Sequence, residues 1–363
     1  MLVTAAAADP SRSLSAVRVG LEEGVATLIG PNGAGKTNLL EALYFALTGR
    51  SFRTSDRRDL IPFDGQLARA EAVVLGGAGA EHRLLASVSR AEGRRHLLDG
   101  SPVDAATAAR HRPPVAVFSP DRLALVKGPP AERRAHIDRY VAARWPSRSG
   151  LRVRFGQALA QRNALLARGP SGDRDLDVWD ETFADAACAL TAARADAAAD
   201  LAPRFAAAAA DLGLEGGARL EYAPRSAAAA DELRQGLLER RDADLRLGRT
   251  SWGPHLDEVK LSAAGRALRR FGSQGEQRTA LLALLFAERS ALAEARRVTP
   301  LLLLDDVMSE LDPDRRERLL ELLAGPGQVV ITAATEESVP ATLRTAAIRM
   351  PPPRPARRAA EAA

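Results

Sequence analysis

Residues 30–37 read Gly-Pro-Asn-Gly-Ala-Gly-Lys-Thr, a fit to G-x-x-x-x-G-K-[ST] at every fixed position. The chemistry this pattern serves is phosphate binding. Glycines let successive backbone N–H groups curl around phosphate oxygens, and a helix N-terminus behind them adds a positive end. Gly30, Pro31, Asn32, Gly33, Ala34, Gly35, Lys36 and Thr37 are therefore the expected ATP-binding loop. Lys36 is expected to reach the β- and γ-phosphates, and the Thr37 hydroxyl to ligate Mg²⁺. The chain has only three lysines, Lys36, Lys127 and Lys260, among 51 lysines and arginines. A compact ammonium at this one position is informative, because a planar guanidinium does not replace it.

A second group of chemical residues lies far downstream. Leu301-Leu302-Leu303-Leu304 is a short apolar run that ends in Asp305-Asp306. The pattern predicts a buried parallel strand carrying two carboxylates at its C-terminal end. Asp305 is the expected Mg²⁺ ligand together with Thr37. Asp306 is positioned to orient or deprotonate an attacking water. Lys36, Asp305 and Asp306 form the expected catalytic set. Thr332 ends a further apolar stretch, Gln328-Val329-Val330-Ile331-Thr332, where a hydroxyl could sense the γ-phosphate as a switch. Between them, Asp312 caps a helix expected over Pro313–Leu323.

The third group is Ser273-Gln274-Gly275-Glu276-Gln277-Arg278, followed by a helical stripe of Leu281, Leu284, Leu285 and Leu292. Alone it reads equally as a helix cap. Beside the other two groups it resembles the signature motif of ATP-binding-cassette ATPases. That resemblance implies that Ser273, Gln274 and Gly275 contact ATP held by a second subunit.

These groups need elements to hold them. Val25–Ile29 reads as a strand before the loop, and Asn38–Leu43 as the helix after it. Short strands separated by Gly-rich turns dominate up to about residue 120. From Pro129 long helices take over, including Leu151–Leu166 and the alanine-rich Phe183–Ala210. Strands return after Gly216-Gly217. The layout predicts an α/β protein: a P-loop head of the ATP-binding-cassette type, formed by residues 1–122 and 213–350, with a helical lobe inserted at 123–212. Residues 351–363 are Pro-, Ala- and Arg-rich and read as a disordered tail.

Composition bounds the rest. The 363 residues are 46% hydrophobic and 27% charged, with a net charge of +5. No apolar run approaches the ~18 residues of a membrane helix, and no basic region precedes a hydrophobic stretch at the N-terminus. Cys188 is the only cysteine. These features point to the cytoplasm. A pI of 9.9 permits a polyanionic partner but fits a solvated arginine-rich surface as well. None of the three lysines is followed two positions on by aspartate, so the guanine-reading element of a GTPase is missing. A transporter ATPase subunit shares the loop and signature and is the main alternative. Such heads lack a helical insertion as long as 129–212.

The full set of motifs resembles the RecF family of bacterial recombination and repair ATPases, related to SMC-like ATPases. Its landmarks here are GPNGAGKT with TNLLEALY, TGRSFRT (Thr48–Thr54), VFSP (Val117–Pro120), AERRAHID (Ala131–Asp138), GPHLDE (Gly253–Glu258), SQGEQRT (Ser273–Thr279) and LLLLDDVMSELD (Leu301–Asp312). The resemblance implies a homodimer formed on ATP binding, with ATP and Mg²⁺ as cofactors and weak, DNA-stimulated hydrolysis. It implies binding of single-stranded or gapped DNA with little sequence preference. It also implies work with RecO and RecR in loading recombinase for gap repair, replication restart and the SOS response. The chain departs from the family pattern at Ser11–Leu14, where aromatics are absent, at Glu276 in place of glutamine, and at Leu256 and Glu258. Arg133 and Arg134 are candidate phosphate contacts, with an intramolecular ion pair as the alternative for each.

Overall fold

The computed structural model describes residues 1–9, 16–54, 56–63, 65–91, 93–169, 171, 175–227, 229–344 and 347–351. The stretch Ser11–Leu14 and all but the first residue of the expected tail lie outside them. The chain forms two compact units, Met1–Arg122 with Arg296–Ala363, and Leu123–Ala295. The first boundary falls where the helical character begins. The return lies at 295/296 rather than near 213, because the strands that follow Gly217 pack on the long helices of the second unit.

In chain order the first unit contributes β1 (Leu2–Asp9), β2 (Val17–Gly20), β3 (Val25–Ile29), α1 (Lys36–Thr48), β4 (Leu67–Leu75), β5 (Glu81–Ser89), β6 (Gly93–Leu98), β7 (Ser101–Pro102), α2 (Ala105–Arg110) and β8 (Val115–Phe118). The second unit holds α3 (Ala124–Lys127), α4 (Pro130–Arg144), α5 (Leu151–Leu166), α6 (Leu176–Asp211), β9 (Ala218–Ala223), α7 (Ala230–Leu247), β10 (Glu258–Ala263), β11 (Arg266–Ala267), α8 (Leu268–Phe271) and α9 (Gln274–Arg296). The chain then returns with β12 (Leu301–Leu304), α10 (Pro313–Leu323), β13 (Val329–Ala333) and β14 (Ala347–Arg349).

Two sheets build the first unit. An antiparallel sheet runs β2-β1-β4-β5-β6-β7, and a parallel sheet runs β14-β3-β13-β12-β8. The central parallel strands are buried on both faces and read as unbroken apolar runs, as a covered parallel sheet requires. Leu301–Leu304 are each at most 1% exposed, and each contributes roughly 1.5–3 kcal/mol by leaving water. Helix α1 lies in the core between the sheets, with Leu40, Leu43, Phe45 and Leu47 buried. Gln328 cross-links the layers. Its Oε1 accepts from Val3 N–H at 2.9 Å, and its Nε2 donates to Val3 O and Glu22 O.

The second unit is built on α6, whose 36 residues extend about 54 Å. It packs on α4, α5, α7 and β9, with Phe155, Phe183, Leu190, Leu233 and Leu237 as core. Arg162 is completely buried there. It donates to Asp180 at 2.7 Å, to Asp244 at 2.7 Å and to Thr250 Oγ1 at 2.9 Å, so one guanidinium ties α5, α6 and α7 together. A second buried arginine, Arg194, pairs with Asp138 and Asp257. Arg133 is 5% exposed and forms a two-pronged pair with Glu258, and Arg134 donates to Asp257 O. The intramolecular alternative therefore holds for Arg133. Cys188 is half-buried beside the α5–α6 core. No helix among the described residues is long and apolar enough to cross a membrane.

Arg162→Ala leaves two carboxylates buried without their cation, which costs about 3–5 kcal/mol. Burial already pushes Asp180 upward, with Arg162 opposing the shift. Without that arginine Asp180 favours protonation, so its part of the penalty is present at high pH and eases as pH falls. Urea unfolding at pH 8 and pH 5 checks this, with the larger loss expected at pH 8.

Candidate nucleotide-binding site

Strand order creates the site. β13 pairs with β3 on one side and β12 on the other, all parallel, so three C-terminal ends open together. Ligands of open parallel sheets bind at such ends. The loop after β3 leads into α1. Gly33 and Gly35 have φ of 83° and 87°, the left-handed region that favours glycine. Gly30 is also closely packed, since a Cβ there would lie 3.0 Å from the Met350 Cβ and 3.3 Å from the Ala34 Cβ. The loop's anchors are Gly30 N–H to Ala333 O and Met350 N–H to Ile29 O.

Lys36, the first residue of α1, folds back over the loop. Its Nζ donates to Gly30 O at 2.6 Å and to Pro31 O at 3.1 Å. Burial lowers its pKa, while the charges of Asp306 and Asp305 act to raise it. The ammonium therefore sits within the field of both acids. Thr37, one residue on, places Oγ1 at 2.9 and 3.0 Å from the two oxygens of Asp305. Thr332 donates from its hydroxyl to Asp305 Oδ1 at 2.8 Å and accepts from Asp306 N–H at 2.8 Å. The structure thus brings Lys36, Thr37, Asp305, Asp306 and Thr332 together. Thr332 is only 1% exposed, and its hydroxyl is spent on the two acids.

The two aspartates differ in environment. Asp305 is buried, and burial drives its pKa upward, reinforced by Asp306 and opposed by the Thr332 and Thr37 hydroxyls. Asp306 is half-exposed, has φ 49°, and accepts from Ser309 Oγ at 2.8 Å. A left-handed backbone at a non-glycine residue is uncommon, and it falls here at the residue directly after the strand-end acid. A hydroxyl and a carboxylate facing each other at the mouth of a phosphate loop are the hard oxygen donors that Mg²⁺ takes. Thr37 and Asp305 fit that ion.

Arg53 was not among the expected site residues. It donates to Asn38 Oδ1 at 3.1 Å, lies 3.8 Å from Glu41 and from Asp121, and its charge acts on Asp305. The segment that carries it is pinned by Ser51, whose hydroxyl donates to the buried Glu41. The motif TGRSFRT was visible in the sequence, but nothing local tied Arg53 to a strand end 252 positions away.

Ser273, Gln274 and Gly275 belong to the second unit, where they open α9. Ser273 and Gln274 are exposed. Beneath them Gln277 Nε2 donates to Leu268 O and Gly272 O, which fixes the end of α8 to the first turn of α9.

Asp305→Asn removes a buried charge and keeps an oxygen for the two hydroxyls. A carboxylate with a raised pKa costs stability above the ordinary carboxylate range, and the cost fades as pH falls. The nucleotide-free variant is therefore expected to melt about 2–4 °C higher at pH 8, with the gain shrinking toward pH 5. Thermal denaturation at both values tests this.

Residues 9–352 match the family of RecF/RecN/SMC N terminal domains. A DNA replication and repair protein RecF from Kineococcus radiotolerans is 34% identical over 92% of this chain and 93% of its own length. The RecF of Myxococcus xanthus is 38% identical over 86% and 84%. Among solved structures, the recombination mediator protein RecF-ATP of the RecFOR pathway superposes with a TM-score of 0.83, 26% identity and 93% coverage of both chains. A transporter subunit is not favoured by these matches. An ATP-binding-cassette head carrying this loop, these paired acids and this sequence relationship belongs to the RecF family of DNA replication and repair proteins.

Proposed function

We propose that this protein is an ATP-gated, DNA-binding dimer acting in cytoplasmic recombinational repair. The carrying observation is the convergence of Lys36, Thr37, Asp305, Asp306 and Thr332 at adjacent strand ends. The loop N–H groups and Lys36 hold the β- and γ-phosphates. Thr37 and Asp305 hold Mg²⁺, which neutralises phosphate charge when bound. Asp306, half-exposed, orients the attacking water. Thr332 links the two acids, so a change at one is felt at the other. Ser273, Gln274 and Gly275 of a second copy complete the site over the γ-phosphate. ATP then acts as a ligand that favours the closed dimer, and hydrolysis releases it. The function of the RecF-ATP relative in the RecFOR pathway supports partnership with RecO and RecR in loading recombinase at gaps and stalled replication sites, and in SOS induction.

DNA has a candidate surface at the opposite end of α1. Gly49 ends the helix in the left-handed conformation, with His96 and Arg94 packed against it. Arg50, Arg57, Arg94 and Arg112 cluster there. Burial and mutual repulsion lower Arg94, and burial above all brings Arg112 to about 10. His96 is 7% exposed, is pushed down by burial and by Arg94, Arg112 and Arg57, and has no hydrogen-bond partner for Nε2 among the described residues. Like charges gathered in this way fit a phosphodiester backbone, which recognises charge rather than sequence.

Lys36→Ala is expected to abolish ATP binding and dimerisation together, and Ser273→Arg to abolish dimerisation while ATP still binds. Nucleotide titration combined with light scattering separates the two. The triple variant Arg50→Ala/Arg57→Ala/Arg94→Ala is expected to weaken duplex binding and flatten the log affinity–log salt slope by about 2–3. An unchanged slope places the DNA elsewhere.

A further inference from the structure

Phe63 is 100% exposed, although the backbone on both sides of it is fixed. Leu60 and Ile61 are buried in the core of the first unit, and Ile61 N–H donates to Arg58 O at 3.0 Å. Gly65 N–H donates to Pro62 O at 2.9 Å, which closes a tight turn with Phe63 at its corner. Gln66 O accepts from Arg90 N–H at 3.3 Å as β4 begins. An anchored support thus presents a ring that adds nothing to the core. A single exposed apolar side chain needs no explanation by itself. The charges near this one supply it.

The segment leading to the turn also carries Arg57. The charges acting on Arg94 are those of Arg57 and Arg50, and those acting on His96 are Arg94, Arg112 and Arg57. No carboxylate is among them. The neighbouring acids are spent locally, Asp56 on a two-pronged pair with Arg58 and Asp59 on the Thr54 hydroxyl. A short 3₁₀ turn, Arg57–Leu60, and three further residues separate Arg57 from Phe63. Their combined reach places the two Cα atoms within about 17 Å, or about five base steps of one strand. Arginines that hold phosphates beside a free aromatic face are the two parts of a single-strand contact. Stacked duplex bases hide their faces, so such a ring finds a base only where the stack is interrupted.

We propose that Phe63 is a base-stacking contact that selects interrupted DNA: its ring lies on an unpaired or end-of-stack base while Arg50, Arg57 and Arg94 hold the adjoining phosphates. The proposal rests on the arginine surface described above. The arginines bind any strand, and Phe63 adds affinity only where a base face is open. Preference for a gap over continuous duplex then arises without any reading of sequence.

Fluorescence anisotropy at saturating ATP and Mg²⁺ tests this with three probes: a continuous duplex, the same duplex carrying a gap, and its single strand. The proteins are the parent, Phe63→Ala, Phe63→Trp and the arginine triple variant, with thermal melting as the folding control and light scattering as the control for the dimer. Phe63→Ala is expected to bind the gapped and single-stranded probes about tenfold more weakly, to bind continuous duplex as the parent does, and to keep the parent's salt slope. Phe63→Trp is expected to retain the gap preference. If Phe63→Ala changes no probe, or weakens all three equally, while the triple variant flattens the slope, the stacking is wrong and the arginine surface stands. If neither protein differs from the parent on any probe, the surface itself falls, and the stacking with it. Loss of the ATP-dependent dimer in Phe63→Ala would assign the ring to a contact between copies and overturn the proposal.

Discussion

The Asp305 carboxylate is a charge taken out of water, and the site is arranged around keeping it there. A buried carboxylate without partners takes up a proton. Here hydroxyls from two separate elements, Thr37 on α1 and Thr332 on β13, reach it at 2.8–3.0 Å. Both are available only because β13 lies between β3 and β12 in a parallel sheet. The apolar strands supply that order. Leu302–Leu304 and Val329–Ile331 pair in register, so Thr332 arrives one step beyond Leu304, beside the acids. Asp305 is therefore a buried carboxylate held by two hydroxyls, and in the function proposed above a divalent cation with phosphate would offset its charge.

Helix α1 has different work at its two ends. Its N-terminus faces the phosphate loop, where N–H groups and Lys36 favour anions. Its C-terminus meets Arg94 and Arg50, and cations are favoured at that pole. The helix dipole therefore offsets part of the repulsion within the arginine cluster. The remainder is available to a polyanion. The helix is buried along most of its length.

Local features were legible in the sequence, and long-range ones were not. The phosphate loop, the strand before Asp305 and the capped helix at Pro313 are each written in a dozen adjacent residues. The Asp312 side chain does accept from Arg315 N–H as its position implied. Thr37 and Asp305 are 268 positions apart; their motifs marked them as joint cation ligands, but the direct hydroxyl–carboxylate bond between them depends on sheet order. Thr332 was identified as polar at a strand end, but its partners depend on sheet order. Arg53 was hidden because its role is electrostatic and reached through Ser51 and Glu41. For Arg133 the sequence left a phosphate contact and an intramolecular ion pair both open, and it could not name the partner, Glu258 on a distant strand. The return of the chain between its two compact units is hard to read locally for a related reason. Gly216-Gly217 marks the end of a helix, whereas compactness is set by what β9 and β10 pack against.

The central claim is that two copies of this chain share each ATP, one supplying Lys36, Thr37 and Asp305 and the other Ser273. A structure determined with a non-hydrolysable ATP analogue and Mg²⁺ tests it most directly. The account predicts the γ-phosphate within hydrogen-bond reach of Lys36 of one copy and Ser273 of the other, in two equivalent sites. A nucleotide enclosed within a single copy, with Ser273 of every neighbour far from it, would contradict the account.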